Sequence, residues 1–217
     1  MTLLSSAVTQ AAACESESNI KNCVSVSVHD KAGNSVPDVV VYLLPLAGQT
    51  LTQTSEIVTI SQNKKAFTPY ITVSQSGNKV SFENQDDITH HIYSAGNHNK
   101  FSFKMKSGDV HLSEPFNNAT EIAMGCNIHD WMSGSLLIVD TPYFGKTDQN
   151  GLASFSLEQL GQYQIIVWHP QLPTKDNRVR LEYQVTANAD FNIVLPKNLE
   201  SIPTQSSNDD FDFVSDY

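Results

Sequence analysis

The stretch Cys126-Asn127-Ile128-His129-Asp130-Trp131-Met132 sets a thiol, an imidazole and a thioether at three-residue intervals, in a chain with only three cysteines and four methionines. All three side chains offer atoms that bind soft or borderline metal ions. Upstream, Val80-Ser81-Phe82-Glu83-Asn84-Gln85-Asp86-Asp87-Ile88-Thr89 leads into a histidine pair, His90-His91. The two segments together supply two imidazoles, one thiolate and one thioether. Two histidines and a cysteine in a trigonal set with a weak axial methionine form the donor set of a blue-copper centre. Sulfur suits Cu(I) and imidazole suits Cu(II), and a rigid site holding both changes little when an electron arrives or leaves. The residue types alone leave open whether His90 or His91 is the first ligand.

Other chemistries fit these residues less well. A structural zinc site is closed by four cysteine or histidine ligands, whereas here there is one thiolate and a thioether, a poor zinc ligand. Covalent haem attachment needs Cys-x-x-Cys-His, which the sequence lacks. A nucleophilic cysteine needs a base aimed with it at a substrate. His129, three residues on across a tight turn, lies beside the sulfur instead. Each fragment alone is ordinary, since histidine pairs at strand starts commonly face solvent. Their combination and order point to a metal.

The segments around these residues read as strands. "CVSVSVHD" alternates valine with polar residues, "KAGNSVPD" carries turn residues and "VVVYLLP" runs apolar. "FTPYITVSQSGNKVSFEN" reads as two strands joined by Ser-Gly-Asn. "EIAMGC" leads up to Cys126, and "GSLLIVD" leaves the loop after Met132. "LASFSL", "QYQIIVWHP" and "LEYQVTANADFNIVLP" follow, with a turn at Asp148-Gln149-Asn150-Gly151 and another at Gly161. No segment has the periodicity of a helix of ordinary length, so the expected class is all-β with short strands at sandwich-like spacing.

Bulk composition narrows the function. At 217 residues the chain can bury a proper core as one large or two small domains. A net charge of −10 argues against nucleic-acid binding, which needs a basic face to displace counterions. No apolar run is long enough to be a transmembrane segment. Residues 1–13 hold no charged side chain, and Ala11 and Ala13 stand at positions a signal peptidase favours, so they read as a signal-peptide remnant and the chain as exported. Three cysteines is an odd count. A disulfide between Cys14 and Cys23 in an oxidising compartment leaves Cys126 a free thiol, which a metal would protect.

Two distant pieces look like parts of one domain. Residues 24–45, "VSVSVHDKAGNSVPDVVVYLLP", resemble the opening hairpin of transthyretin-like or carboxypeptidase-regulatory-like β-sandwiches. Residues 145–170, with the Thr-Asp-x-Asn-Gly turn and the Gly-x-Tyr strand, resemble a later part of that module. The expected division is therefore a β-sandwich of 22–50 plus 143–196, with a second β-domain at 54–141 inserted into it. Two sandwiches in series are the plainer alternative. Residues 197–217, with five acidic residues against one lysine, read as a disordered acidic tail.

On "VSFENQDDITHH" and "CNIHDWMSGSLLIVD", the inserted domain resembles a cupredoxin of the plastocyanin and amicyanin type, with a short amicyanin-like ligand loop. The whole chain resembles the methylamine-utilisation proteins, exported cupredoxin-like proteins with flanking β-sandwich sequence. The resemblance implies a Greek-key β-sandwich around copper cycling between Cu+ and Cu2+. In plastocyanin-type domains the first copper histidine follows the aromatic of the preceding strand by eight residues, and eight from Phe82 is His90. The implied ligands are then His90, Cys126, His129 and Met132. The sequence departs from the family at Thr89, where proline is usual, at His91, where asparagine is usual, and at Ile128, where amicyanin-like loops carry proline. These changes bear on the rigidity and potential of the site.

The resemblance further implies a non-enzymatic, periplasmic or otherwise exported carrier of single electrons that meets a redox partner such as a cytochrome or dehydrogenase. In cupredoxins the second loop histidine lies nearest solvent, within an apolar docking patch. That places His129 at the edge, with Trp131 as a docking anchor or an inward plug. A copper-delivery protein and a structural, ligand-binding β-sandwich are the rival readings. Trp168 and His169 read as packing or a domain contact, and His98 and His111 as surface residues.

Overall fold

The computed structural model describes residues 22–46, 48–95 and 99–206. Strands β1 (Cys23–His29) and β2 (Val40–Pro45) come first. Then follow β3 (Val58–Asn63), β4 (Ala66–Thr68), β5 (Ile71–Gln75), β6 (Val80–Asn84), β7 (His90–Ala95), β8 (Ser102–Met105), β9 (Val110–Leu112), β10 (Thr120–Cys126) and β11 (Ser133–Val139). The series ends with β12 (Phe144–Lys146), β13 (Leu152–Ser156), β14 (Gly161–Trp168), β15 (Arg178–Val185) and β16 (Ala189–Val194). The protein is all-β, and no helix occurs among the described residues.

The strands fall into two compact units. The first takes the chain up to Gln53 and resumes over Val139–Ser201; the second takes Thr54–Ile138 and the segment from Ile202. The first unit has sheets of order β13-β1-β16 and β12-β2-β14-β15. The alternation in β1 does what period-2 patterning requires: Val24, Val26 and Val28 are buried while Ser25 and Ser27 are half-buried. These valines meet Val41 and Leu43 of β2 and Ile165 and Val167 of β14 in one core. Each such side chain removed from water contributes about 1.5–3 kcal/mol. Trp168 and His169 are both buried in this unit. Gly151 closes the Asp148 turn with φ +73°, and a Cβ there would lie 2.5 Å from the Val28 carbonyl oxygen.

The second unit is a sandwich of sheets β5-β11-β10-β7-β8 and β4-β3-β6-β9. Ile60, Phe67, Val80 and Phe82 from one sheet pack on Ile92, Met105, Ile122, Met124, Leu136 and Ile138 from the other. β5 and β6, adjacent in sequence across Ser76-Gly77-Asn78, belong to different sheets. Their connection therefore crosses the sandwich, with Gly77 at φ +87°.

The expected disordered tail starts too early. Leu199 packs against the core of the first unit, and the Glu200 amide donates to the Gln171 carbonyl at 3.0 Å. In the second unit the Gln205 side chain accepts from the Ser133 amide at 3.2 Å and donates to the Ser133 hydroxyl at 3.0 Å. An apolar side chain and a bonding amide hold residues that composition alone assigns to a solvated tail. Residues 1–13, Cys14, His98 and 207–217 lie outside the described residues.

Candidate metal centre

Strand direction gathers the predicted residues at one end of one sheet. β10 runs antiparallel to β7 with Cys126 opposite Ile92, so Cys126 ends its strand where His90 begins the neighbouring one. β11 starts at Ser133 beside them, antiparallel to β10 with Gly125 opposite Ser133. Residues 127–132 thus form a short loop tied at both ends to paired strands. Alternation sets the faces. Ile122, Met124 and Cys126 point into the sandwich along β10, and His90 and Ile92 do so along β7.

All four predicted residues are buried: His90 is 0 % exposed, Met132 1 %, Cys126 4 % and His129 4 %. Both imidazoles turn Nδ1 toward the cysteine. The Cys126 Sγ lies 3.8 Å from His90 Nδ1 and 3.7 Å from His129 Nδ1. The two histidine rings are 5.0 Å apart between centroids. A metal bound at about 2.0–2.1 Å from nitrogen and about 2.3 Å from sulfur, with ligand angles of a tetrahedral or trigonal site, separates N and S by roughly 3.6–3.8 Å. The observed separations fit such an ion. Met132 sits in the same loop, its amide donating to the His129 carbonyl at 3.0 Å. The set is the two-histidine, one-cysteine, one-methionine set that suits copper in both oxidation states.

Electrostatics prepare the sulfur. Burial pushes the Cys126 thiol up, but hydrogen bonding to His129 and His90 and to the Ile128 and His91 amides outweighs it and brings the pKa down to about 5. A thiol already inclined to thiolate near neutral pH gives up little on meeting a cation. Burial likewise opposes charge on His90, yet Cys126 and Asp86 together raise it above the ordinary histidine value.

His91 faces the other way. Its Nε2 lies 2.9 Å from the Ser102 hydroxyl and its Nδ1 3.3 Å from Asn127 Nδ2. The Asn127 amide also donates to the His91 carbonyl at 2.9 Å, so position 91 ties the strand to the ligand loop while, of the two neighbours, it is the His90 ring that reaches Cys126. His129 is less open than the resemblance implied. The Trp131 ring lies 5.3 Å from it, half-buried against the core, and its indole nitrogen is buried with no partner among the described residues. His111 is exposed and stacks on Phe103 at 4.0 Å between ring centroids.

Two residues the motif reading passed over complete the environment. Asp86 Oδ2 lies 2.9 Å from His90 Nε2. Asn84, 2 % exposed, donates from Nδ2 to the Ile88 and Met105 carbonyls at 2.7 and 3.0 Å and accepts from the Asp86 amide at 3.0 Å. Asn84 thereby fixes the turn that delivers both Asp86 and His90. The signal available in sequence was an aspartate four residues before the histidine, at the end of a strand.

Cys23 is disulfide-bonded, and among the described residues Cys126 is the free cysteine.

No family model and no curated protein matches the sequence. Solved structures do resemble it over part of its length. A copper-containing nitrite reductase from Thermus scotoductus SA-01 is 20 % identical with a TM-score of 0.37, over 44 % of this chain and 25 % of that one. A purple cupredoxin from Nitrosopumilus maritimus is 19 % identical with a TM-score of 0.34, over 38 % of this chain and 99 % of that one. A P96G mutant of amicyanin is 17 % identical with a TM-score of 0.35, over 38 % of this chain and 81 % of that one. This chain thus spans a quarter of the nitrite reductase.

Proposed function

We propose that the second unit is a type 1 copper domain and that the protein carries single electrons between redox partners in an exported compartment. The observation that carries this reading is a buried Cys126 thiol with an imidazole Nδ1 on each of two sides at 3.7 and 3.8 Å. Copper, when bound, supplies the one-electron Cu+/Cu2+ couple. Cys126 supplies the soft anionic donor, His90 and His129 the two nitrogen donors, and Met132 the weak fourth contact. Strands β7, β10 and β11 hold these groups in place, so little reorganisation accompanies a change of charge. With all four donors drawn from the protein, no substrate is chemically changed.

The disulfide at Cys23 supports an oxidising compartment, in keeping with the leader-like N-terminus. A cytochrome or dehydrogenase is the kind of redox partner such a carrier serves. A place in methylamine utilisation rests on sequence resemblance alone, as does the kinship of the first unit with transthyretin-like and carboxypeptidase-regulatory-like sandwiches.

The test is the visible spectrum of Cu(II)-loaded protein. An intense copper–thiolate charge-transfer band is expected, and Cys126→Ser should abolish it and weaken Cu(I) binding sharply. A band that survives Cys126→Ser overturns the assignment. Colourless protein with copper bound points to a copper-holding or copper-delivering role.

A further inference from the structure

The remote nitrogen of His90 does not face water or a backbone carbonyl. It faces a carboxylate, and that carboxylate is itself held on two sides. The Asp86 oxygen that meets His90 Nε2 at 2.9 Å also accepts from the Lys65 amide at 2.9 Å, and the other oxygen accepts from the Lys64 amide at 2.5 Å. Both lysines stand in the left-handed region, at φ +56° and +58°, as the two central residues of the turn joining β3 to β4, where Asn63 pairs with Ala66. Two-residue hairpin turns of this kind require positive φ twice and ordinarily use Asn-Gly. This turn uses two residues poorly suited to it, and its amides point at Asp86. Burial tends to raise the Asp86 carboxyl, but the Lys65 amide, His90 and the Lys64 amide together hold it below its ordinary value, and the group is 11 % exposed.

We propose that Asp86 is a positioning residue for the copper centre, and that it sets the reduction potential by fixing the His90 ring and strengthening it as a donor. The proposal rests on the copper reading above and deepens it. A carboxylate on the outer nitrogen fixes the ring's tautomer, leaving Nδ1 bare toward Cys126, and restrains rotation about the ring's own bond. It also pushes electron density toward Nδ1, which raises ligand basicity. An imidazole made more donating favours the more highly charged ion. Asp86 therefore stabilises Cu2+ over Cu+ and lowers the potential of this centre. Since Lys64 and Lys65 contribute through backbone amides, the hairpin turn belongs to the same device: it anchors the anion that anchors the ligand. His129 has no carboxylate contact among the bonds found in the described residues, so the two histidines are electronically unlike.

The decisive comparison is between wild-type protein and Asp86→Asn, which removes the charge and keeps an oxygen for one of the two turn amides. Asp86→Asn should retain the blue band. Its ratio of Cu(II) to Cu(I) affinity should fall by about tenfold, the lower end of what loss of an outer partner costs. For a one-electron couple that is a rise of about 59 mV, read directly by redox titration. A merely structural Asp86 would lower the melting temperature and leave the potential of the blue fraction where it was. That result overturns the proposal. A second measurement needs no variant. Pulsed electron paramagnetic resonance of the Cu(II) protein reads the remote nitrogen of each bound imidazole, whose quadrupole coupling follows its hydrogen bond. Two inequivalent remote nitrogens are expected in the wild type, and two equivalent ones would refute the assignment even if Asp86→Asn does not fold. A wild-type protein that binds copper without a blue band defeats the type 1 reading and this proposal together, whereas a blue wild type with an unmoved potential in Asp86→Asn defeats this proposal alone.

Discussion

Neighbouring histidines on one strand give a sharp test of how the site is built. His90→Ala and His91→Ala remove the same ring one residue apart, and alternation assigns them opposite faces. His90 is fully buried, meets Cys126 on one nitrogen and Asp86 on the other, and has the His129 ring 5.0 Å away. Its loss removes a nitrogen donor outright and strips Asp86 of a partner. Loss of an outer partner alone costs about 10–100-fold in metal affinity, so loss of a donor should cost more than about 100-fold. His91 is half-buried, and its bonds to Ser102 and Asn127 lie at the surface. Removing it should lower stability by about 1 kcal/mol or less. Copper affinity should stay within about tenfold of wild type, because the Asn127 amide still bonds the carbonyl at position 91. Competition against a Cu(I)-specific chelator measures the affinities, the visible spectrum reports the geometry, and urea unfolding of the apo proteins separates folding from binding. Equal losses in the two variants, or a larger loss in His91→Ala, would show that His90 is not the ligand.

Two further outcomes follow from buried polar groups outside the donor set. Asn84→Ala leaves the Ile88 and Met105 carbonyls and the Asp86 amide without their partner. It should destabilise the apo protein by about 2–4 kcal/mol in chemical denaturation, and a loss below about 0.5 kcal/mol would show that the turn is held by something else. In the first unit, burial lowers the His169 pKa to about 4, partly countered by Asp38, and its Nδ1 accepts from the Gln171 amide at 3.1 Å, as a neutral ring does. A base depressed in the folded state contributes stability that is complete above its unfolded value of about 6.5 and is lost as pH falls toward 4, on the order of 3 kcal/mol in all. Urea midpoints should therefore fall between pH 6.5 and 4 more steeply in wild type than in His169→Asn; parallel pH profiles would refute this.

Much of the architecture could be read from the sequence because it depends on period and punctuation. The valines of β1 and the apolar run of β2 announce their faces, and the predicted ligands announce themselves by type, two at strand ends and two in the loop that joins β10 to β11. The preference for His90 needed only a residue count and a pleat. What escaped notice depends on contacts between distant segments. Asp86 and Asn84 lie in "ENQDDITHH", which in composition is an ordinary solvated turn, and nothing in it reports that Asn84 is buried. Nor could the Lys64-Lys65 turn be linked to Asp86, because two lysines at positive φ contradict local preference and are held by a carboxylate more than twenty residues away. The C-terminal segment misled for the opposite reason. Its acidic composition is real, but Leu199 and Gln205 each find a specific partner before the acidic cluster begins.

The burial of His129 bears on what the centre is for. The family resemblance placed this residue at the solvent edge, yet it is 4 % exposed, with the Trp131 ring beside it. Handing copper to an acceptor requires that the acceptor's ligands reach the ion and replace its donors one at a time. Four buried residues, two on paired strands and two in the loop between β10 and β11, resist that, and Gln205 bonded to Ser133, next to Met132, leaves the loop still less free to open. Passing an electron requires no such access, because an electron crosses packed side chains and needs only a short path. Trp131 supplies one in the proposed reading: a large aromatic ring in contact range of His129, half-buried against the core and therefore bounded on one side by solvent. Among the described residues its buried indole N–H has no hydrogen-bond partner. In the proposed reading, burial of the ligands and the place of the ring beside His129 are consistent with electron carriage rather than metal delivery.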